Sequence, residues 1–152
     1  MSPSLVVRRA TAADVEVLGA LEHEAREAIT DARGGAALLA EQPAVGEWAT
    51  VLADARRAVW VATIDDVVLG VLELRLPQYE GGAGTVRQVY VVPGARELGL
   101  GDEMLAAAIE ATVEAGGTTI EAVALPGDRE TKNLFERSGL TARLITVSKR
   151  LG

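Results

Sequence analysis

Apolar residues along the chain follow two spacings, and each spacing predicts its own kind of secondary structure. Continuous or alternating apolar runs that are rich in β-branched residues and bounded by turn residues are typical of strands. Two such runs flank the pair Asp65-Asp66 and predict a hairpin. The predicted strands cover residues 5–10, 58–64, 67–76, 85–92, 118–125 and 140–151.

Apolar residues that recur every three to four positions predict helices between these strands. Thr11 and Asp14 have the spacing of a capping box, in which a hydroxyl and an acid satisfy free backbone N–H groups at a helix start. Glycines and Pro43 interrupt the helical pattern after the first helix, so residues 31–46 receive no assignment. The predicted helices cover about residues 11–29, 47–58, 101–115 and 128–139.

The order of these elements is β, α, α, β, β, β, α, β, α, β. Three consecutive strands without an intervening helix exclude a regularly alternating, doubly wound sheet and favour an α/β domain with a mixed sheet. No repeat, low-complexity segment or linker divides the chain. Residues 1–152 are therefore expected to form a single domain.

The composition of the chain argues against several classes of binding partner. The chain has 15 basic and 22 acidic side chains, a net charge of −7, and only 3% aromatic residues, which argues against a surface that gathers nucleic acid or anionic membrane lipid. No cysteine is present, and His23 is the only histidine, so no disulfide framework, thiolate nucleophile or metal site is expected. The N-terminal residues lack a basic start followed by a long apolar run, and a cytosolic location is expected.

The junction between the strand at 85–92 and the helix at 101–115 is suited to hold an anion. Pro93 ends the strand, so nearby backbone groups become free to face a ligand. Gly99 and Gly101 let a ligand come close to the main chain. The start of the following helix presents unpaired N–H groups and a partial positive charge, which favour a phosphate or pyrophosphate.

Three other interpretations of this junction differ in how well its residues fit them. A nucleoside triphosphate loop needs a lysine and a hydroxyl after its glycines, and neither follows here. A dinucleotide fingerprint starting at Gly99 would place Met104 where the third glycine belongs. A plain glycine turn between strand and helix, with Asp102 and Glu103 complementing the helix dipole, is an equally weighted alternative when the junction is considered alone.

The segment resembles the acetyl-CoA loop of the GNAT superfamily of N-acetyltransferases, whose mark is [Q/R]-x-x-G-x-[G/A] after a strand that ends V-x-P. Here Val91-Val92-Pro93 precedes the residues Arg96 to Gly101. The late segment from Leu134 to Leu140 is similar to the L-Y-E-K-x-G-F segment of the family. Both motifs stand in the family order, and the element order agrees over nearly the whole chain. The resemblance implies a central mixed, mostly antiparallel sheet flanked by helices.

The resemblance also implies which residues bind acetyl-CoA. Amides between Arg96 and Asp102 would hold the pyrophosphate, and the main chain of Val91 and Val92 would pair with the pantetheine arm as a missing strand would. The late helix would border the coenzyme from the other side. The residues that these expectations include are Val91, Val92, Arg96, Glu97, Leu98, Gly99, Leu100, Gly101, Asp102, Asp128, Lys132 and Asn133.

Direct acyl transfer from a thioester needs an amine without its proton. An alkylamine with a pKa of about 10 is only about a thousandth neutral at pH 7, so a proton acceptor is required. The sequence departs from the family here, because Thr85 and Phe135 stand where a glutamate base and a tyrosine acid are usual. Glu73, Tyr90 or ordered water are the candidate substitutes. The alternatives are that Glu73 is a charged residue at an exposed strand end and that Tyr90 is a half-buried strand aromatic.

Arg87 bears on the acceptor. Strict alternation along the strand would place Arg87 on the same face as Thr85, which is the family's reaction face, with Phe135 nearby. A cation there would repel an ammonium group but bind a carboxylate or phosphate, so the expected acceptor is a small amine that carries an anionic group. Pairing of Arg87 with a glutamate, or its exposure at the sheet edge, is the alternative.

The leading function is therefore an acetyl-CoA-dependent N-acetyltransferase that acts on a primary amine of a small metabolite. A non-catalytic acyl-CoA-binding or regulatory module of the same fold is the alternative, because both usual proton-transfer positions differ. A nucleotide-binding α/β domain is a more distant one. Dimers are common in the family, so a homodimer is compatible with the resemblance, although no apolar stripe marks an interface.

Overall fold

The structure is a computed structural model that describes residues 4–152. A single five-stranded sheet with the spatial order β1-β2-β3-β4-β5 lies at its centre. The first four strands pair antiparallel, and β4 pairs parallel with β5, so the sheet is mixed and mostly antiparallel. The strands are Leu5–Arg9 (β1), Arg57–Ile64 (β2), Val67–Arg75 (β3), Ala83–Val91 (β4) and Thr119–Ala122 (β5).

Helices cover both faces of the sheet, which confirms the predicted α/β class. One face packs against α4 and α5, and the other packs against α1 and α3. Because β2 and β3 are buried on both sides, their sequences are continuously apolar rather than alternating. The helices are Val15–Ile29 (α1), Gly35–Glu41 (α2), Trp48–Ala53 (α3), Leu100–Glu114 (α4) and Arg129–Arg137 (α5).

Most predicted boundaries agree with the structure. The hairpin between β2 and β3 turns at Asp65 and Asp66, both with positive φ, in agreement with the prediction. Helix α2 lies in the stretch that the glycines and Pro43 left without an assignment. Its seven residues are too short for a clear helical period, and its position depends on contacts with α1.

The predicted strand at residues 140–151 is wrong. These residues form neither helix nor strand in the structure, and nearly all of them are exposed. A β-type sequence becomes a strand only when its backbone groups pair with a neighbouring strand, and this segment pairs with none of the strands in residues 4–152. Strand β5 is also shorter than predicted.

Asp14 stabilises the start of the first helical segment and gives a testable pH effect. Arg8 donates two hydrogen bonds of 2.8 and 2.9 Å to its carboxylate, and the Thr11 amide donates another of 2.7 Å. These bonds, foremost those from Arg8, hold the pKa of Asp14 below its usual value, although burial opposes the shift. The folded state therefore favours the ionised carboxylate.

We expect Asp14→Asn to lower the free energy of unfolding by about 1–2 kcal/mol at pH 7. The pKa of Asp14 is depressed on folding, so its contribution is complete above the unfolded value of about 3.9 and is lost as the pH falls below it. Urea unfolding at pH 7 and pH 3 measures the difference. Asp31→Asn, at an exposed residue, is the control. An equal loss at both pH values would contradict the role of the charge.

Candidate active site

The sheet opens between β4 and β5. Pairing joins Ala83–Val86 to Thr119–Ala122, but β4 continues to Val91 without β5 beside it. Strand β3 still pairs with the other edge of β4 as far as Val91. Residues 87–91 therefore have one backbone edge that faces a cleft instead of a strand. An extended ligand can pair with this edge as an added strand.

Val91 and Val92 do not contribute equally to this open edge. The Val92 amide donates to the Leu69 carbonyl at 2.9 Å, so it faces β3 and is already satisfied. Backbone groups alternate in direction along a strand, so those of Val91, and of Val89 before it, face the cleft. The Arg96 side chain confirms this direction for Val91, because its Nε donates to the Val91 carbonyl at 3.1 Å. The Val92 amide therefore already has a partner in β3, whereas pairing of the Val91 main chain with the pantetheine arm stays a prediction.

Gly99 and Gly101 are required in the loop for different structural reasons. Gly99 has φ +87° and precedes the first residue of α4, and no atom lies within 4 Å of the place where a Cβ would stand. Glu97 also has positive φ, at 71°. A Cβ on Gly101 would lie 3.2 Å from Leu134, so this glycine lets α5 pack closely against α4. Leu100, Gly101 and Asp102, in the first turn of α4, line the cleft beside α5, and the amides of a first helical turn have no partner within the helix.

The loop, the open edge of β4, α1, α2 and α5 enclose a cavity of about 790 Å³. Many residues predicted to bind the coenzyme line it. Those of the predicted set that do so are Val91, Arg96, Glu97, Gly99, Leu100, Gly101, Asp102, Asp128 and Asn133. Among the described residues, Val92, Leu98 and Lys132 are not part of the lining.

Helix α5 is fixed on its side of the cavity by two polar contacts. Asp128 caps the helix, because its carboxylate accepts hydrogen bonds from the Thr131 amide at 3.1 Å and from the Thr131 hydroxyl at 2.6 Å. Arg137 forms two hydrogen bonds to Asp102 at the start of α4, at 3.1 and 3.2 Å. Asp102 therefore ties α4 to α5, a role that the sequence did not indicate.

Phe135 and Thr85 have different positions relative to the cavity. Phe135 is 7% exposed, packs in the core between the sheet and α4, and forms part of the cavity lining. Thr85 lies in the paired part of β4, between Arg75 of β3 and Glu121 of β5. Within residues 4–152 it is not one of the lining residues. The structure thus brings Phe135, but not Thr85, to the cavity.

A network of buried polar side chains forms the other wall of the cavity. Glu73 is 1% exposed, forms an ion pair with Arg57, and accepts a hydrogen bond of 2.8 Å from Gln88. The Gln88 amide also lies 3.3 Å from Glu22, which is 5% exposed. All four residues line the cavity. The alternative that Glu73 lies at an exposed strand end is therefore wrong.

The two buried carboxylates, Glu73 and Glu22, differ in the groups that balance their negative charge. Glu73 has the Arg57 guanidinium, whereas Glu22 accepts hydrogen bonds from the Val45 amide at 3.1 Å and from Gln88, both through Oε2. No cationic side chain pairs with Glu22 among residues 4–152. Arg26, one turn later, donates instead to backbone carbonyls of α2 and the segment after it. Glu22 therefore brings a negative charge to the cavity that the described protein groups do not neutralise.

Tyr90 lies beside this network on β4. Its hydroxyl donates a 2.6 Å hydrogen bond to Glu24, and the Arg96 guanidinium lies 5.7 Å from its ring centroid. Burial, supported by the hydrogen bond to Glu24, raises the pKa of Tyr90 to about 12. The phenol therefore keeps its proton at neutral pH, which does not suit it to act as a base.

A β-bulge changes the position of Arg87. Glu73 pairs with Gln88 and Leu74 pairs with Val86, so Arg87 is the extra residue between them. Because of this bulge, Arg87 does not follow the strict alternation that would place it on the same face as Thr85. Gln88 and Tyr90 occupy the alternating positions instead. Arg87 is half-buried and nevertheless lines the cavity. Within residues 4–152 it has no ion pair or side-chain hydrogen bond.

Glu22, Gln88 and Arg57 are not among the site residues that the sequence predicts. A signal for Glu22 was present, because it lies four residues after Leu18 and next to Leu21 on the apolar side of α1. An acid on that face is either paired or functional. No local signal identifies Gln88 or Arg57, because the bulge and the strand register bring them to the network.

In residues 4–152, no group of three or more histidines, cysteines, aspartates or glutamates is arranged to hold a metal ion. The same part of the chain contains no helix with the length and apolar character needed to cross a membrane.

Comparison with known proteins identifies the family. The sequence profile of the Acetyltransferase (GNAT) family matches residues 20–140, which is most of the chain. The chain therefore belongs to this family, and it is an acyl-CoA-dependent N-acetyltransferase with acetyl-CoA as co-substrate. Comparison with curated protein sequences gives no match.

Solved structures share the fold at low sequence identity. The aminoglycoside N-acetyltransferase AAC(6')-Iy in complex with CoA has a TM-score of 0.72 and 17% identity over 99% of this chain and 98% of that one. A ribosomal-protein-alanine N-acetyltransferase from Brucella melitensis biovar Abortus 2308 has a TM-score of 0.70 and 17% identity over 98% and 100%. A transcriptional regulator from Bacillus halodurans C-125 has a TM-score of 0.71 and 18% identity over 97% and 100%.

Proposed function

We propose that this protein transfers an acetyl group from acetyl-CoA to the primary amine of a small metabolite that also carries a carboxylate or another anionic group. One observation carries the proposal. The same cavity contains the open edge of β4, the Glu22 carboxylate and the Arg87 guanidinium, and neither side chain has an ion pair among residues 4–152. An acceptor with an ammonium and an anionic group complements both charges.

The coenzyme would occupy the cleft between β4 and α5. The amides from Arg96 to Asp102 would hold its pyrophosphate at the start of α4. The open backbone edge at Val89 and Val91 would pair with the pantetheine arm, and α5, through Asp128 and Asn133, would form the opposite side. Lys132 is exposed and would act only as a peripheral charge. When bound, acetyl-CoA supplies the thioester from which the acetyl group comes.

Two backbone amides are candidates to stabilise developing charge. The groups of Val89 and Val91 face the cleft, and an N–H placed there would donate to the thioester carbonyl oxygen as it becomes negative. Phe135 would provide an apolar wall that excludes water nearby. Its phenyl ring has no proton to donate, so the leaving thiolate, with a pKa of about 8.5, would depart without an acid.

Glu22 is the group that we propose for binding the acceptor ammonium and taking up its proton. Glu73 is the candidate base that the sequence suggests, but both of its carboxylate oxygens already accept hydrogen bonds, one from Arg57 and one from Gln88. Among residues 4–152, both hydrogen bonds of the Glu22 carboxylate use Oε2, which leaves Oε1 for an acceptor in the cavity. Gln88 connects the two carboxylates, so Glu73 would position Glu22 through Gln88.

Tyr90 would shape the acceptor site rather than exchange protons. Its raised pKa and its hydrogen bond to Glu24 keep the phenol protonated. The ring, which also contacts the Arg96 guanidinium, separates the coenzyme loop from α1. Thr85 lies away from the cavity, so we propose no contact between it and the acceptor.

The proposal is tested by release of free thiol from acetyl-CoA with a panel of amines that includes amino acids, their uncharged amides and polyamines. We expect turnover with amines that carry a carboxylate and little with their amides. Coenzyme binding is measured in parallel by calorimetry. Turnover with polyamines alone would contradict the anionic acceptor, and absence of coenzyme binding would contradict the function itself.

Arg87→Ala is expected to raise the KM for a carboxylate-bearing acceptor about ten-fold or more, because a charge-assisted pair contributes about 1.5–3 kcal/mol. The KM for the matching amide should not change. Arg75→Ala, at an exposed arginine in the neighbouring strand, is the control. An unchanged KM for the carboxylate would show that Arg87 does not bind the acceptor.

A non-catalytic acyl-CoA-binding or regulatory module is the second candidate. It is favoured by the positions of Thr85 and Phe135, which lack the usual proton-transfer groups. A structural neighbour described as a transcriptional regulator has the same fold. Coenzyme binding without thiol release in any member of the panel would support this alternative. We also propose a cytosolic location, which the absence of cysteine fits.

A further inference from the structure

One side of the cavity is enclosed by α1, by α2 and by the segment that follows α2. Apart from Glu22, Arg26 and Gln42, the described residues that these elements contribute to the lining are apolar. We call these apolar residues together the apolar wall. Its larger members, all half-buried, are Ile29, Leu38, Leu39 and Val45. Each of them therefore keeps apolar surface that a ligand in the cavity can cover.

Arg26, the cation on this side of the cavity, is directed at the backbone of α2. Its Nη1 donates to the Gln42 carbonyl at 2.6 Å, and its Nη2 donates to the Leu39 carbonyl at 3.2 Å. Both carbonyls lie at the C-terminal end of α2, where a helix leaves such groups without partners of its own. Arg26 thus holds α2 against α1, and its charge is directed at these carbonyls rather than at a ligand.

The turn between α1 and α2 bounds the cavity at the end of the apolar wall. A Cβ on Gly35 would collide with the Ile29 carbonyl oxygen, so this glycine lets α2 begin directly against the end of α1. The place of a Cβ on Gly34 lies 3.5 Å from Leu125, a buried residue between β5 and α5 that also lines the cavity. The space beside the apolar wall is therefore limited, which suits a small molecule.

The Glu22 carboxylate lies at one end of the apolar wall. Ala25 and Ile29 follow Glu22 at three and seven positions along α1, and all three residues line the cavity. Because an α-helix rises about 1.5 Å per residue, Glu22 and Ile29 are about 10 Å apart along the helix axis. An acceptor whose ammonium group binds Glu22 can therefore extend an apolar side chain along α1.

We propose that the acceptor is an α-amino acid with a large aliphatic or aromatic side chain, which packs against the apolar wall. The inference rests on the proposed function, in which the ammonium group binds Glu22 and the carboxylate binds Arg87. An α-amino acid carries both charged groups on one carbon, so its side chain is the part that meets the wall. A polar side chain would lose its hydration there without gaining hydrogen bonds in return.

Free leucine and free asparagine are a matched pair of acceptors, because their side chains have similar shapes and differ in polarity. Release of thiol from acetyl-CoA is measured with both, and with phenylalanine and glycine. We expect kcat/KM for leucine to exceed the values for asparagine and glycine about ten-fold or more, which is the usual effect of burying an aliphatic side chain. Phenylalanine should also exceed both. A value for asparagine equal to that for leucine would overturn the proposal.

Two variants change the apolar wall itself. Leu38→Gln makes the wall polar at a similar volume and should lower kcat/KM for leucine about ten-fold, with a much smaller effect on glycine. Ala25→Leu, which keeps a good helix former, fills space beside Glu22 and should impair phenylalanine more than glycine. The controls are Ala37→Gln and Ala20→Leu, at exposed positions of the same two helices. Unchanged coenzyme affinity in calorimetry shows that each variant is folded.

Failure of this inference and failure of the proposed function give different results. Turnover of amino acids without a preference for leucine, or a preference that Leu38→Gln does not reduce, would overturn the inference and leave the transferase function standing. If no acceptor is turned over, leucine and asparagine are titrated into the protein saturated with coenzyme A. Tighter binding of leucine would then support the apolar wall while the missing turnover contradicts the proposed function. Binding of neither amino acid would overturn both.

Discussion

The variant Gly99→Val is expected to bind coenzyme A at least about ten-fold more weakly than the wild-type protein, since 1.4 kcal/mol corresponds to ten-fold. Gly99 has φ +87°, a conformation that costs a residue with a Cβ about 1–2 kcal/mol and a β-branched residue more. The space beside its Cα is empty in the structure, and the proposed pyrophosphate would lie there. The valine therefore both strains the loop and fills the site.

Calorimetric titration with coenzyme A measures this effect, and Gly94→Val is the matched control. Gly94 lies in the same loop and also has open space beside it, but its φ is not positive. Its variant should keep wild-type affinity. If Gly99→Val binds coenzyme A normally while remaining folded, the loop does not hold the pyrophosphate.

Glu22→Gln is expected to lower kcat about 100-fold or more, which is the usual contribution of a general base. The amide can still accept a hydrogen bond from the Val45 amide, so α1 should keep its position. It cannot take up the proton of the acceptor. The coenzyme affinity should not change, because Glu22 lies on the acceptor wall.

The pH profile separates a chemical role of Glu22 from a structural one. A base gives kcat/KM an ascending limb on the acid side, and the variant should lose this limb. Glu16→Gln, two turns earlier on the same helix, is the control and should behave as wild type. If Glu22→Gln keeps full activity while Glu73→Gln loses it without unfolding, then Glu73 is the base.

The stability of the Glu73→Gln variant also distinguishes the role of Glu73 from that of Glu22. It removes the partner of Arg57 and leaves a partly buried guanidinium without its countercharge. Glu22→Gln removes a charge that has no such partner. We therefore expect the Glu73 variant to be the less stable of the two, as measured by urea unfolding.

Local chemistry in the sequence was sufficient to predict much of this protein. Apolar spacing predicted the first five strands and most helices, because one buried face imposes a period that is visible in the residues themselves. The loop from Arg96 to Asp102 was also predictable, since a backbone anion site needs glycines at fixed distances from a strand and a helix. Most residues of this loop line the cavity, and their binding of the coenzyme stays a prediction.

Contacts between distant residues were decided only by the tertiary structure. The bulge at Arg87 depends on the pairing of β3 with β4, and it determines that Gln88 lies next to Glu73. The Glu22 carboxylate reaches the same cavity from a helix more than sixty residues earlier. The final β-type segment has strand composition but pairs with no strand among residues 4–152. A sequence records the preferences of each segment, whereas register and partner depend on which backbone edges the folded chain leaves open.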